Sequence, residues 1–176
     1  MKSSVWRVAV TGPECTGKSE IAQALALHFN TVWVPEYARE FIDGLEKPYT
    51  YKDILTIAKR QVEFENKMLK SAERILFADT ELLVCKIWCE FKFGRCHSWI
   101  LKQLKNQVYD LYLLMDVDLP WQRDPQREHP DKRIELFELY LAELRNYGFP
   151  FEIVKGIGKL RLMNAIDCIR RNLEIT

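Results

Sequence analysis

The sequence predicts an α/β fold in which a five-stranded parallel sheet lies between two layers of helices. Apolar runs of strand length alternate with segments of helical periodicity, as is typical of β-α units. A glycine-rich loop separates the first strand from the first helix, and acidic residues follow the later strands. The chain is long enough for one substantial core, so residues 1–176 are expected to form a single domain.

The first β-α unit contains the most informative motif. An apolar run over residues 5–10 predicts a buried strand, and residues 12–19 then read G-x-x-x-x-G-K-S before a helical pattern begins. This is the phosphate-binding P-loop, in which glycines let backbone N–H groups point inward and the helix N-terminus adds positive potential. Lys18 is expected to reach the β- and γ-phosphates of ATP or GTP, and Ser19 to bind Mg²⁺. The residues predicted to hold the nucleotide are Gly12, Pro13, Glu14, Cys15, Thr16, Gly17, Lys18, Ser19 and Glu20.

The second strand is short and leads into a polar segment. Residues 32–34 predict a strand that ends at Pro35, which has no N–H for sheet pairing. In a parallel sheet, the segment beyond the carboxyl end of a strand faces the ligand crevice, so Glu36 and Arg39 are expected at the substrate. A solvated first helical turn is the alternative for both residues. Residues 51–73 follow with an apolar stripe that predicts a long helix packed on the core.

The third strand ends in an acid. Residues 75–79 form an apolar run that terminates in Asp79, as in a Walker B element, and such a carboxylate can hold Mg²⁺ or activate an attacking hydroxyl. A helix cap is the alternative for a lone aspartate, but the upstream P-loop favours the catalytic role. Residues 82–91 and 99–107 predict two further helices. Trp88, on the first of them, belongs either to the core or to the wall of an acceptor pocket.

The segment after the fourth strand changes abruptly in composition. Leu111–Met115 predicts a buried strand, whereas residues 121–133 contain almost no apolar side chains. Arg123, Arg127 and Arg133 lie within this segment. Small-molecule kinases carry a mobile lid at this place in the chain, and its arginines close over the phosphate in transfer. Residues 121–133 are therefore predicted to be a lid, with an ordinary solvated loop as the alternative.

Three further elements complete the predicted sheet and its helical layers. Residues 134–147 show an amphipathic helical pattern that ends at Gly148, a residue suited to the left-handed position after a helix. Phe151–Val154 predicts the fifth strand. Residues 159–173 predict the closing helix.

The net charge and the cysteine count indicate which partners and which cellular compartment to expect. The formal net charge is +1, which gives no indication of a nucleic-acid or membrane partner. The five cysteines are an odd number, and the first residues show no signal-peptide pattern. We therefore expect reduced thiols and a cytoplasmic location. A small-molecule substrate is the expected partner, and the sequence does not indicate an oligomeric state.

Several segments together form a family pattern. They are residues 12–19, 35–40, 77–81 and 109–114, and Pro120-Trp121 followed by Asp124 and Arg127. In this order they resemble the ribosylnicotinamide kinase domain of the NadR family, bacterial regulators of NAD biosynthesis, and the related single-domain ATPases. The glutamate-tyrosine-x-arginine element and the proline-tryptophan lid are the most specific parts of this resemblance.

The resemblance implies an ATP-dependent kinase with the fold of the nucleoside and nucleotide kinases. It would transfer the γ-phosphoryl group of ATP to the 5′-hydroxyl of nicotinamide riboside and so form nicotinamide mononucleotide for NAD salvage. The predicted catalytic residues are Lys18, Glu36, Asp79, Arg123 and Arg127, with Ser19 and Asp79 as the partners of Mg²⁺. Either Asp79 or Glu36 would accept the hydroxyl proton, and the position of Asp79 near the γ-phosphate slightly favours Asp79. Tyr37, Trp88 and Trp121 are candidates to stack on the cationic nicotinamide ring.

The chain also departs from the family pattern. Cys15-Thr16 stands where the family often has two serines, and Pro125 stands where the lid often has glycine. The 176 residues leave no room for the helix-turn-helix and adenylyltransferase domains of full-length NadR, so DNA-binding regulation and adenylylation are not expected. Two alternatives stay open: a kinase of the same construction for another nucleoside or small metabolite, and a regulatory ATPase that acts as a switch.

Overall fold

The computed structural model describes residues 5–107 and 109–175. Its strands are β1 (Trp6–Thr11), β2 (Trp33–Val34), β3 (Ile75–Asp79), β4 (Leu111–Met115) and β5 (Phe151–Val154). They form a single parallel sheet in the order β2-β3-β1-β4-β5, which confirms the predicted five-stranded α/β fold of the P-loop NTPase type. In the register of the sheet, Val10 of β1 is the partner of Asp79 on one side and of Leu113 on the other.

Seven helices cover the sheet within the described residues. They are α1 (Lys18–His28), α2 (Tyr37–Asp43), α3 (Tyr51–Leu69), α4 (Leu82–Phe93), α5 (Ser98–Asn106), α6 (Arg133–Tyr147) and α7 (Lys159–Asn172). The longest of them, α3, ends at Leu69 rather than near residue 73 because the chain turns there to enter β3 at Ile75. None of these helices is both long and apolar enough to cross a membrane.

The core consists of two layers, one on each face of the sheet. Helices α1 and α7 pack on one face against strand residues such as Val8 and Val10, whereas α3, α4, α5 and α6 pack on the other face against residues such as Ala9. Successive side chains of a strand point to opposite faces, so a strand covered on both sides must be apolar throughout. This requirement explains the buried apolar runs over residues 75–78 of β3 and 111–115 of β4.

The strand order determines where the ligand site lies. Because β1 lies between β3 and β4, the carboxyl ends of these three strands meet in the middle of one edge of the sheet. The phosphate loop leaves β1 at this edge, Asp79 ends β3 there, and Asp116 follows β4 there. Open α/β sheets bind ligands in the crevice outside these carboxyl ends.

Candidate active site

One cavity of about 700 Å³ opens at the carboxyl edge of the sheet. The phosphate loop lines one part of it. Residues of α2, α4, α6, the 121–133 segment and the loop before α7 are among those that line the rest. The polar, aromatic and loop residues in its lining include all of residues 12–20 together with Glu36, Arg39, Tyr49, Trp88, Phe91, Asp124, Arg127, Glu128, His129, Tyr140, Ile157 and Arg161. The cavity therefore joins the nucleotide-binding loop to an aromatic-walled space beyond it.

The phosphate loop adopts a tight conformation that its sequence requires. Gly12 has φ +131°, and a Cβ at this position would lie 3.1 Å from the carbonyl oxygen of Met115 on β4. Gly17 has φ +75° and caps α1, so that helix begins at Lys18 with its N-terminus at the cavity. The hydroxyl of Thr16 and the Nζ atom of Lys18 both donate to the carbonyl oxygen of Pro13, at 2.8 and 2.7 Å. The helix N-terminus and Lys18 thus concentrate positive charge where phosphates are expected.

A buried arginine on α7 forms a hydrogen bond to the backbone of the phosphate loop. Arg161 is only 2% exposed, and its Nη2 donates to the carbonyl oxygens of Thr16, at 2.9 Å, and Asp116, at 2.8 Å. Its Nη1 donates to the carbonyl oxygen of Gly156 at 2.8 Å and pairs with the Asp118 carboxylate. The sequence analysis missed this residue. A single arginine on the otherwise apolar buried face of the closing helix was the available signal.

Asp79 is buried at the tip of β3 and does not line the cavity surface. Burial raises the pKa of Asp79 to about 6; the charge of Glu36 adds to this rise, and the Ser19 hydroxyl and the Lys18 charge oppose it. Its Oδ1 atom is buried without a hydrogen-bond partner. An unpartnered carboxylate oxygen beside a serine hydroxyl matches the oxygen ligands that Mg²⁺ prefers, so the residues present fit this cation.

The segment after Asp79 is held in a strained turn. Thr80 has φ +70°, which is uncommon for a residue with a β-branched side chain. Glu81, fully buried, accepts hydrogen bonds from the Thr11 hydroxyl at 2.9 Å and from the Leu83 backbone N–H at 2.5 Å. Burial raises its pKa to about 7, although these hydrogen bonds oppose the rise. Glu81 therefore caps α4 and ties it to the end of β1, a role that the sequence analysis did not assign.

An aromatic wall forms the side of the cavity away from the phosphate loop. Trp88 on α4 contributes to it, and Tyr49, from the segment before α3, packs edge-on against Trp88 with ring centroids 4.8 Å apart. The indole Nε1 of Trp88 donates to the Tyr49 hydroxyl at 2.8 Å. Phe91 and Tyr140 complete the aromatic lining. The sequence analysis found Trp88 but missed the other three, because no local pattern shows which way an aromatic side chain in a loop or helix will face.

The 121–133 segment lies over the cavity and contacts both of its ends. Glu14 of the phosphate loop accepts hydrogen bonds from the backbone N–H groups of Glu128 and His129, at 3.0 and 2.5 Å. On the opposite side, Arg39 of α2 forms an ion pair of 2.9 Å with Asp124. The segment therefore bridges the phosphate loop and the start of α2.

Comparison with known proteins places the chain in a family. A family model described as an AAA domain matches residues 7–161. The chain belongs to this family. The match begins in β1 and ends at Arg161, so it contains every site residue described above.

The chain is also similar to NadR. It is 30% identical over 124 residues to the trifunctional NAD biosynthesis/regulator protein NadR of Salmonella typhimurium and to that of Escherichia coli K12. The matched region is 68% of this chain but only 30% of each of those proteins. The resemblance that the sequence motifs indicated is thus confirmed.

Solved structures show the same fold. A crystal structure of NadR in complex with NR matches 98% of this chain and 52% of that chain, with a TM-score of 0.85 at 20% identity. A NadR complex with NAD and AMP-PNP matches 98% of this chain and 51% of that chain, with a TM-score of 0.77 at 20% identity. Thymidylate kinase from Ehrlichia chaffeensis matches 95% of this chain and all of that chain, with a TM-score of 0.68 at 15% identity.

The lining of this cavity lacks four of the predicted site residues: Asp79, described above, and Tyr37, Trp121 and Arg123. The Tyr37 ring packs against Phe41 and Phe64 in the hydrophobic core, because the first residue of α2 faces α3 rather than the crevice. Trp121 lies beside Arg133, whose guanidinium is 5.7 Å from the ring centroid. Arg123 is exposed and is not a lining residue. Of the predicted pocket aromatics, the structure brings only Trp88 into the cavity wall.

Proposed function

We propose that this chain is an ATP-dependent kinase that phosphorylates the 5′-hydroxyl of nicotinamide riboside, giving nicotinamide mononucleotide and ADP. The observation that carries this proposal is the single cavity that joins a phosphate loop to an aromatic-walled space, with the buried Asp79 beside the loop and Glu36 in the cavity lining. A nucleotide switch needs only the first part of this cavity, whereas a kinase needs room for a second substrate. The similarity to NadR, which has been solved with NR and with AMP-PNP, supports the choice of both substrates. The five free cysteines support a cytoplasmic location.

The donor half of the site would hold the phosphates of ATP. The inward backbone N–H groups of the loop, the N-terminus of α1 and Lys18 provide the positive potential. Ser19 and Asp79 would hold Mg²⁺, which would supply neutralisation of the negative charge that develops on the phosphate. Arg127 lines the cavity and would be the arginine of the 121–133 segment that neutralises charge on the transferred group. Phosphoryl transfer depends mainly on such positioning and charge neutralisation.

The acceptor half would hold the nucleoside. Trp88, Tyr49 and Phe91 provide a wall for a flat cationic ring, and the π faces of aromatic rings attract such a cation. Glu36 lines the cavity, whereas Asp79 is buried next to Ser19. This arrangement supports Glu36, rather than the Asp79 that the sequence slightly favoured, as the group that would accept the hydroxyl proton. The Glu36→Gln variant is accordingly expected to lose at least about 100-fold in kcat while its affinity for AMP-PNP changes little.

An acceptor screen coupled to ADP release tests the function. With Mg-ATP, the wild-type protein is expected to form ADP and nicotinamide mononucleotide in equal amounts when nicotinamide riboside is present, and little ADP without it. The Lys18→Ala variant should lose this turnover, whereas Lys67→Ala, on the exposed face of α3, should retain it. ADP release that nicotinamide riboside does not change would refute the kinase and favour the switch. Turnover with other nucleosides but not this one would refute the named acceptor.

A further inference from the structure

Glu128 occupies a position that connects the two halves of the cavity. Its backbone N–H donates to the Oε2 atom of Glu14 in the phosphate loop at 3.0 Å. Its carboxylate accepts a hydrogen bond of 2.6 Å from the Tyr49 hydroxyl and hydrogen bonds of 2.7 and 3.0 Å from the Nζ atom of Lys92. One residue of the 121–133 segment is thus bound through its backbone to the donor end and through its side chain to the acceptor wall.

The hydrogen bonds continue from Glu128 to the aromatic wall. The Tyr49 hydroxyl that donates to Glu128 also accepts from Trp88 Nε1 at 2.8 Å and from Lys92 Nζ at 2.6 Å. The Lys92 ammonium group lies 4.0 Å from the centroid of the Tyr49 ring. The orientation of both rings therefore depends on one carboxylate, because Tyr49 has a single hydroxyl proton to donate and directs it at Glu128.

The protonation states of Glu128 and Tyr49 favour the hydrogen bond between them. Partial burial alone would raise the pKa of Glu128, but the hydrogen bonds from Lys92 and Tyr49 outweigh it and lower the pKa. Burial and the hydrogen bond to Glu128 raise the pKa of Tyr49, so the phenol keeps its proton. Hydrogen bonds to an ionised carboxylate are stronger than those between neutral groups.

We propose that Glu128 is a positioning residue that couples nucleotide binding at the phosphate loop to the shape of the acceptor wall formed by Tyr49 and Trp88. This role rests on the proposed kinase function, because it assigns the two halves of the cavity to two substrates. A nucleotide that orders the phosphate loop also orders Glu14, which holds the backbone at Glu128 and His129. The Glu128 carboxylate then holds Tyr49 and Trp88 in place. Because coupling between two sites is reciprocal, the acceptor is expected to tighten nucleotide binding by the same factor.

The contacts of the Glu128 side chain can be removed by mutation while other contacts still hold the 121–133 segment in place. Asp124 pairs with Arg39, and the Gln126 side chain donates to the Arg39 carbonyl oxygen at 3.1 Å. These contacts do not involve Glu128, so they remain when its carboxylate is removed. Glu63 on α3 offers a matched control, since its carboxylate pairs with Arg60 on the surface and both side chains are more than half exposed.

Calorimetric titration with nicotinamide riboside, with and without saturating Mg-AMP-PNP, measures the coupling directly. In the wild-type protein and in Glu63→Gln, AMP-PNP is expected to tighten nicotinamide riboside binding by about fivefold or more. In Glu128→Ala and in Tyr49→Phe this gain should fall below about twofold, while the affinity for AMP-PNP alone stays within about threefold of wild type. The double variant should lose no more than either single variant, and Glu128→Gln should recover part of the gain.

Tryptophan fluorescence separates failure of this role from failure of the kinase assignment. AMP-PNP alone should change the emission of the wild-type protein, and Trp88→Phe and Glu128→Ala should each remove most of that change. A wild-type protein that does not bind nicotinamide riboside would contradict the proposed acceptor, and the AMP-PNP signal would still decide the role of Glu128. If a folded Glu128→Ala variant keeps the wild-type gain in nicotinamide riboside affinity, or the wild-type fluorescence response to AMP-PNP, the proposed role of Glu128 is overturned.

Discussion

Arg161 Nη2 donates to the backbone carbonyl oxygen of Thr16 at 2.9 Å, so the last helix of the chain holds the first loop. The same guanidinium binds the carbonyl oxygens of Asp116 and Gly156, which follow β4 and β5. Loops from three strands thus depend on one side chain. The carbonyl groups of these loops cannot find partners within a helix or strand, and a planar guanidinium with five donors can satisfy several of them at once.

Replacing this arginine is expected to destabilise both the fold and the nucleotide site. Arg161→Met leaves several carbonyl oxygens and the Asp118 carboxylate without their donor, and breaking such a buried charged network typically costs about 3–5 kcal/mol. Urea unfolding should show this loss. Arg170→Met, at an exposed position of the same helix, should change the free energy of unfolding by less than about 0.5 kcal/mol. Equal stability of the two variants would contradict the role of Arg161.

Ionised Asp79 is expected to lower the free energy of unfolding at neutral pH, because its carboxylate is buried. Its pKa rises from 3.8 to about 6 on folding, so the folded state holds the proton more tightly than the unfolded state does. The free energy of unfolding therefore decreases as the pH rises from about 4 to 6, and ionised Asp79 is a net cost above that range. Because one pKa unit corresponds to about 1.4 kcal/mol, Asp79→Asn should be more stable than wild type by about 2–3 kcal/mol at pH 7.5.

Urea unfolding without metal or nucleotide measures this effect at two pH values. The advantage of Asp79→Asn should fall by about half or more at pH 4.5, because folded Asp79 is then mostly protonated and no longer buries a charge. The same variant should lose kinase activity, because an amide is a weaker ligand for Mg²⁺ than a carboxylate. A variant that is less stable than wild type at pH 7.5 would show that burial does not dominate the environment of Asp79.

The aromatic wall predicts which tryptophan matters for the acceptor. Trp88 lines the cavity, whereas Trp121 packs beside Arg133 outside it. Trp88→Ala is expected to raise the KM for nicotinamide riboside by about tenfold or more, since a lost aromatic contact of this size costs at least about 1.4 kcal/mol. Trp121→Ala should change this KM by less than about threefold. Steady-state kinetics at saturating ATP provide the comparison, and a larger effect at Trp121 would favour Trp121 over Trp88 as the residue that stacks on the acceptor.

The two arginines of the 121–133 segment are expected to differ in catalysis. Arg127 lines the cavity and donates to the carbonyl oxygen of Gln122 at 2.7 Å, whereas Arg123 is exposed. Arg127→Ala should lower kcat by about 10- to 1000-fold through loss of charge neutralisation, with a smaller change in nucleotide affinity. Arg123→Ala should remain close to wild type. Single-turnover rates and AMP-PNP titrations distinguish the two effects, and similar losses in both variants would mean that the segment rearranges during turnover.

The sequence by itself determined the order of the elements, the parallel sheet and the phosphate loop. These features have local signatures: the glycines of the loop, the apolar runs of β3 and β4, and an aspartate at the end of a strand. Topology rules then placed Glu36 and Asp79 at the same edge of the sheet as the loop. Each of these inferences needs only neighbouring residues and a general rule about parallel strands.

Only the tertiary structure decided which side chains face the cavity. Tyr37 and Trp88 both lie on helices near the crevice, yet packing turns one ring into the core and the other into the cavity wall. Arg161, Tyr49 and Glu128 act through partners more than 30 residues away in the chain. The rotation of a helix about its axis and the path of a loop depend on contacts with distant elements, and no local pattern encodes those contacts.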